Sequence, residues 1–262
     1  MQADAIQVPT LPLRHAGSGA LPVLGFGTWQ ITGTEAYDAV RAALDAGYRH
    51  LDTAWMYRNH DQVGRALADS GVPRDDVFLT TKIPPNRARE WRQTLDKSLE
   101  DLRTDHVDLW LIHWTEGSSH ADLWEHLLEA QRDGQARAVG VSNYDVDQVD
   151  DITKATGEAP AVNQVRYGPT IHDSAFLAAM AEREVVVEGY SGLKITDLDD
   201  PTLREIADAH GVSTAQVVTR WQTQHDVVAI PKSVTPARIE ANLASLRVTL
   251  SDDEMARIDA LS

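Results

Sequence analysis

No cysteine occurs in the 262 residues, which excludes disulfides, thiolate metal sites and a thiol nucleophile. The absence suits a reducing cytoplasm, the expected location. No window approaches ~18 uninterrupted apolar residues, so no membrane span is expected. The N-terminal stretch Met1-Gln-Ala-Asp-Ala-Ile-Gln-Val-Pro9 has no basic region followed by an apolar core, so no signal peptide is read there. Positive charge is also scarce: 24 Lys and Arg stand against 40 Asp and Glu, a formal net charge of −16. Such a field repels polyanions, so neither nucleic acid nor an anionic membrane is an expected partner. One stretch runs against the global sign. Pro231-Lys-Ser-Val-Thr-Pro-Ala-Arg238 carries two cations and no anion, and suits a small, specific anionic ligand.

What is present is an alternation. Strand-like apolar runs are read at 23–27, 48–53, 77–82, 107–113, 136–142, 161–165, 185–190 and 227–232. Helical patterns lie between them at 34–46, 62–70, 87–102, 120–133, 146–156, 174–184 and 213–224, with 238–245 after the last strand. Runs such as Val185-Val-Val187 are apolar on both faces, as buried parallel strands are. Eight strands joined by helices predict one closed (β/α)8 TIM barrel spanning residues 1–262. An open, doubly wound sheet is the alternative, but Gly25-Phe-Gly27-Thr28-Trp29 lacks the third glycine and the helix start of a dinucleotide fingerprint. Residues 6–13 and 21–23 read as a β-hairpin that caps the N-terminal end of the barrel. Stretches 201–210 and 251–261 read as accessory helices, and Ser251-Asp-Asp-Glu254 has capping-box spacing.

Three of the strand ends carry ionisable groups: Asp52 in His-Leu-Asp-Thr-Ala, Lys82 in Leu-Thr-Thr-Lys-Ile, and His113 in Leu-Ile-His-Trp. Tyr57 follows Asp52 by five residues. Catalysis in such barrels occurs at the C-terminal ends of the strands, where these four should converge. Singly, each has a plain reading: a helix cap, a packing ring, a solvated charge, a satisfied buried imidazole. Together they form a proton-donor set. A free phenol, pKa near ~10, is a slow acid at neutral pH. A neighbouring ammonium is expected to lower that value, with Asp52 holding Lys82 near the phenol and His113 orienting a carbonyl oxygen.

The run Gly47-Tyr-Arg-His-Leu-Asp52-Thr-Ala-Trp-Met-Tyr57-Arg-Asn59 together with Lys82 and His113 resembles the tetrad of the aldo-keto reductase family. The likeness extends from about Leu21 to Leu261, and the chain resembles short bacterial members such as the diketogluconate reductases. It implies NADPH-dependent reduction of aldehydes, ketones or sugar-like carbonyls, with Tyr57 as general acid and a cofactor cleft at the strands' C-terminal face. Under this resemblance Ser142, Asn143 and Gln164 hold the nicotinamide carboxamide, and Tyr190 stacks on the ring. Lys232, Ser233, Thr235 and Arg238 grip the 2′-phosphate, and Asn242 meets the adenine. Gly27, Thr28, Ser191 and Leu193 complete the cofactor contacts. Trp29, Trp55 and Trp114 wall the substrate pocket, and no metal is required.

Five departures from the family pattern stand out: His60 for Glu, Thr115 for Pro, Arg166 for Glu, Gly192 for Pro, and Ala241 before Asn242. Gly192 is expected to trade a rigid φ for a free one. Little chain follows the last helix, so an open pocket and broad specificity are expected of a monomer. Two other classes compete with this reading. One is a nicotinamide-binding regulatory subunit, which the lack of a long N-terminal extension disfavours. The other is a metal-dependent barrel hydrolase or isomerase using His50, Asp52, His60 and His113, which Lys82 would disfavour by repelling a cation.

Overall fold

The computed structural model describes residues 6–14, 19–115 and 120–262. Residues 1–5, read above for a signal peptide, and most of the hairpin turn lie outside the described residues. The hairpin strands β1 (Thr10–Pro12) and β2 (Ala20–Pro22) pair antiparallel, Leu11 opposite Leu21. Eight parallel strands follow: β3 (Phe26–Gly27), β4 (His50–Asp52), β5 (Phe78–Ile83), β6 (Val107–Ile112), β7 (Ala136–Ser142), β8 (Val162–Arg166), β9 (Val186–Tyr190) and β10 (Val228–Ala229). Each pairs with the next in chain order. The ring closes through a parallel bridge between Leu24 and Ala229, with Gly25 N donating to Ala229 O at 2.8 Å. The (β/α)8 expectation therefore holds, although β3 and β10 are shorter as regular ladder than expected.

The helices are α1 (Gly33–Ala46), α2 (His60–Asp69), α3 (Trp91–Leu102), α4 (His120–Arg132), α5 (Val146–Thr156), α6 (Ser174–Glu182), α7 (Gly192–Ile195), α8 (Pro201–His210), α9 (Thr214–Gln224), α10 (Pro236–Ala244) and α11 (Asp252–Asp259). Helix α3 begins later than expected: a 3-10 stretch, Pro85–Glu90, precedes it, with Pro85 in the first turn, where proline is tolerated. The stretch after β9 contains the single turn of α7. The expected capping box at Ser251 and Glu254 is present, and equivalent boxes start α5 and α9. No helix among the described residues is long and apolar enough to cross a membrane.

Strand alternation divides the core into two. Outward residues such as Leu51, Leu79, Trp110, Ile112 and Val139 pack with the helices in one large cluster. Inward residues Phe78, Leu109, Val162 and Val228 form a second cluster, joined by Leu13 and Leu21 of the hairpin segment. The hairpin thus plugs the N-terminal end of the barrel, as expected. Along the inward direction the side chains turn polar: first His50, Thr80 and Glu188, all fully buried, then Asp52, Lys82 and Gln164. Gly25 makes room for this middle layer, since a Cβ there would stand 2.4 Å from His50 Nδ1.

Candidate active site

β4 ends on Asp52, β5 carries Lys82 one residue from its end, and His113 directly follows β6. All three are buried. Tyr57 closes a 3-10 turn, Trp55–Tyr57, ended by Arg58 in the left-handed region at φ 55°. Lys82 Nζ lies 2.7 Å from both Asp52 oxygens, 2.9 Å from the Thr53 carbonyl and 3.4 Å from the Tyr57 hydroxyl. The Tyr57 and His113 rings meet edge to face, centroids 5.7 Å apart. The structure thus brings all four tetrad residues together.

Electrostatics correct one expectation. Burial is the largest influence on the Tyr57 hydroxyl and raises its pKa; Lys82 opposes this without overcoming it. The phenol therefore stays protonated, and the ammonium's part is to stabilise the anion left when the proton departs. Burial also works against the Lys82 ammonium, yet Asp52 and Tyr57 outweigh it and raise its pKa. Burial, aided by Lys82, holds His113 at about 3, so its imidazole is neutral.

A cavity of about 520 Å³ opens above these groups, lined among others by Trp29, Tyr57, His113, Trp114, Tyr190 and Lys232. Ser142, Asn143, Gln164, Ser191 and Leu193 also face it. Asn143, at φ 64°, accepts from the Tyr190 hydroxyl at 2.8 Å, and Ser142 Oγ donates to the Gln164 carbonyl at 2.8 Å. Gln164 Nε2 donates to Asp52 Oδ2 at 2.8 Å. Thr28 Oγ1 bonds the Asp52 carbonyl at 2.9 Å, behind the cavity wall. Gly27 packs across the barrel closure, where a Cβ would come within 2.7 Å of the Ile230 carbonyl oxygen.

Beyond the cavity, Ser233 Oγ accepts from Thr235 N at 3.1 Å, and Thr235 precedes Pro236 at the start of α10. Lys232 and Arg238 are exposed, and among the described residues neither forms an ion pair. Asn242 is buried on α10.

Trp55 is not brought to the main cavity. It lines a neighbouring hollow, with the Arg87 guanidinium 5.1 Å above its ring, and Met56 takes the expected place. His60 is buried against Thr81 Oγ1 at 2.9 Å, and His50 against Thr80 Oγ1 at 3.1 Å. His50, Asp52, His60 and His113 do not gather as a metal cluster, so the hydrolase or isomerase reading fails on geometry. Thr115 is half-buried, and Arg166 is exposed. Gly192 is a correction in cause: its φ is not positive, and a Cβ would stand 2.8 Å from Gln222 Nε2 and 2.9 Å from the Tyr167 carbonyl oxygen. Close approach, not conformational freedom, calls for glycine.

Sequence reasoning missed Asn59, which quotes no chemistry yet is fully buried. It accepts from Thr53 Oγ1 at 2.7 Å and donates to the Thr28 and Ile31 carbonyls at 3.0 and 2.9 Å, locking two active-site loops together. It missed Lys194, which lies 4.8 Å over the Trp29 ring at the cavity mouth. It missed Glu188 too, whose burial, with Asp52 nearby, pushes its pKa up to about 8. Both Glu188 oxygens lack a hydrogen bond of ordinary length, and His50 Nε2 is 3.9 Å away. Only the inward register of β9 marks that glutamate.

The profile of the Aldo/keto reductase family matches residues 23–262. A glycerol 2-dehydrogenase (NADP(+)) of Saccharomyces cerevisiae is 38% identical over 275 residues, covering 92% of this chain and 88% of its own. A glyoxal reductase of Bacillus subtilis is 38% identical over 247 residues, covering 92% and 89%. An aldo/keto reductase crystal structure from Brucella melitensis superposes with a TM-score of 0.93 at 36% identity, over 98% of this chain and 100% of that one. A Bombyx mori aldo-keto reductase solved with NADP gives 0.92 at 28% identity, over 98% and 94%.

Proposed function

The chain belongs to the aldo/keto reductase family, and from that premise we propose that it reduces aldehydes and ketones to alcohols, Tyr57 giving the proton to the carbonyl oxygen. It is an NADP-dependent oxidoreductase. NADPH, when bound, supplies the hydride. The observation that carries the reading is the line of contacts from Asp52 through Lys82 Nζ to the Tyr57 hydroxyl, which ends at the cavity.

Each residue has a physical task. Asp52 and the Thr53 carbonyl fix the ammonium so that it cannot swing away from the phenol. The neutral His113 offers a hydrogen bond to a carbonyl oxygen beside Tyr57 without competing as an acid. Its Nδ1 is buried without a hydrogen-bond partner among the described residues. Ser142, Asn143 and Gln164 supply the amide and hydroxyl groups for a nicotinamide carboxamide, and Tyr190 gives a flat face for its ring. Lys232, Ser233, Thr235 and Arg238, with the N-terminus of α10, form a cradle for a 2′-phosphate; their fit rests on two exposed cations that, among the described residues, form no ion pair. Asn242 is set for the adenine end, while Gly27, Thr28, Ser191 and Leu193 border the path between.

Trp29, Met56 and Trp114 are exposed at the pocket, at 43%, 54% and 40%. Apolar and aromatic walls hold many carbonyl compounds without one demanded hydrogen-bond pattern. Broad specificity follows, with KM varying more than kcat. The test is NADPH oxidation by the purified protein across a panel of aldehydes, ketones and keto-sugars. Turnover of several unrelated aldehydes is expected. No turnover of any reactive aldehyde would overturn the reading.

A further inference from the structure

Away from the catalytic face, three side chains converge that carbonyl reduction does not use. His172 follows the 3-10 turn after β8, His225 directly follows α9, and Asp259 ends α11. Their candidate ligand atoms all lie within 4.8 Å of one another. His225 Nε2 is 2.8 Å from Asp259 Oδ1, and His172 Nε2 is 3.9 Å from the same oxygen. The two imidazoles are stacked, centroids 4.8 Å apart and planes 30° from parallel.

Outer partners orient the set. The Tyr167 hydroxyl is 2.7 Å from His172 Nδ1, which leaves Nε2 on the side of Asp259. Trp221 Nε1 donates to Asp259 Oδ1 at 2.7 Å. Support of this kind, a hydrogen bond to the second ring nitrogen and another to the carboxylate, is what metal-binding imidazoles and carboxylates commonly have. An ion pair anchoring α11 would account for one histidine on Asp259. It does not call for the second imidazole, whose Nε2 also faces Asp259.

We propose that His172, His225 and Asp259 bind a divalent transition-metal ion of the zinc type and so fasten α11 to the barrel wall. Two ring nitrogens and one carboxylate oxygen suit such an ion, whereas calcium and magnesium prefer oxygen-rich sites. Ligand atoms around tetrahedral zinc stand roughly 3.3 Å apart. The 2.8 and 3.9 Å separations from Asp259 Oδ1 bracket that value, and the ligand atoms all lie within 4.8 Å of one another, so the two imidazoles need only draw together to assemble the site. All three residues border a groove of about 800 Å³, which gives an ion access and leaves room for a water as the remaining ligand.

The experiment uses tag-free protein, dialysed against chelator and then titrated with ZnCl2 by calorimetry and with CoCl2 by visible absorption. One saturable micromolar equivalent per chain is expected, with tetrahedral-type cobalt bands and a zinc-dependent rise in Tm. His225→Gln and Asp259→Asn should each weaken that equivalent at least about tenfold and remove the Tm rise. Asp259→Asn keeps an acceptor for Trp221, so its fold is retained; circular dichroism checks this for both variants. Absence of a saturable equivalent, or folded variants that bind like the parent, would overturn the site. Neither readout depends on reductase activity.

Discussion

Gln164 and Asp52 are joined across the barrel by a 2.8 Å hydrogen bond, although 112 residues separate them in the chain. The amide nitrogen satisfies the same carboxylate that chelates Lys82. Asp52 is thereby held by groups from β5 and β8 at once, which fixes the height of the ammonium beneath Tyr57. The arrangement leaves Gln164 its carbonyl for an incoming amide, so one side chain can both brace the tetrad and face the cofactor cleft.

Tyr57→Phe keeps the ring and deletes the proton. We predict that cofactor affinity is retained while kcat falls by about 10²–10⁴, the usual worth of general acid catalysis. Fluorescence titration with NADPH and steady-state turnover of a reactive aldehyde measure the two quantities. More than about a tenth of the parent kcat would mean another group supplies the proton.

Lys82→Met strands a buried carboxylate. Removing one partner of a buried ion pair costs about 3–5 kcal/mol, and Lys82 is only 1% exposed. Adding Asp52→Asn should recover most of that loss by removing the orphan charge. Denaturant unfolding of the two single variants and the double variant tests this. Losses that simply add would show that the pair is not energetically coupled.

Buried titratable groups should set a stability maximum near pH 6.5. Burial lowers His50 and His113 to about 3 and His60 to about 4. The unfolded chain therefore binds protons below pH 6.5 that the folded chain refuses, and stability falls as acid is added. Glu188 acts oppositely: raised to about 8 by burial, it keeps a proton that the unfolded chain has lost above about pH 4.5. Between pH 6.5 and 8 its contribution declines with rising pH, by up to about 1.4 kcal/mol per unit. Chemical unfolding across this range should show the alkaline decline in the parent and its absence in Glu188→Gln. An identical alkaline slope in the variant would assign the decline elsewhere.

Arg238→Ala should collapse the preference between cofactors instead of weakening both. A charge-assisted hydrogen bond is worth about 1.5–3 kcal/mol, so NADPH should bind roughly 10- to 100-fold more weakly. NADH carries no 2′-phosphate and should be nearly unaffected. Parallel binding titrations decide the matter; equal losses would withdraw Arg238 from the phosphate cradle.

Much of this was legible in the residues. Asp52, Lys82 and His113 close apolar runs, and a parallel barrel sends such ends to one face. What escaped reading depends on register and on distant neighbours. Glu188 sits in Val-Val-Val-Glu-Gly-Tyr, where only the pairing of β9 with β8 reveals that it points inward. Gly192 answers to Gln222, thirty positions later, and Trp55 turns toward Arg87 because the 3-10 turn rotates it away from Tyr57. His172, His225 and Asp259 have no motif spacing at all; packing alone makes them neighbours.

The closure between Leu24 and Ala229 has one further consequence. The ladders there are the shortest in the ring, carried by strands of two residues each, and supplemented by Gly27 N to Pro231 O at 3.3 Å. This seam is where amide hydrogens should exchange with solvent soonest. Thr28 and Trp29 lie on one side of it, and Lys232 through Arg238 on the other. A dinucleotide gripping both margins would act as a clasp, so that cofactor affinity and the integrity of the ring become one property, readable as slowed exchange at Gly25 and Ala229.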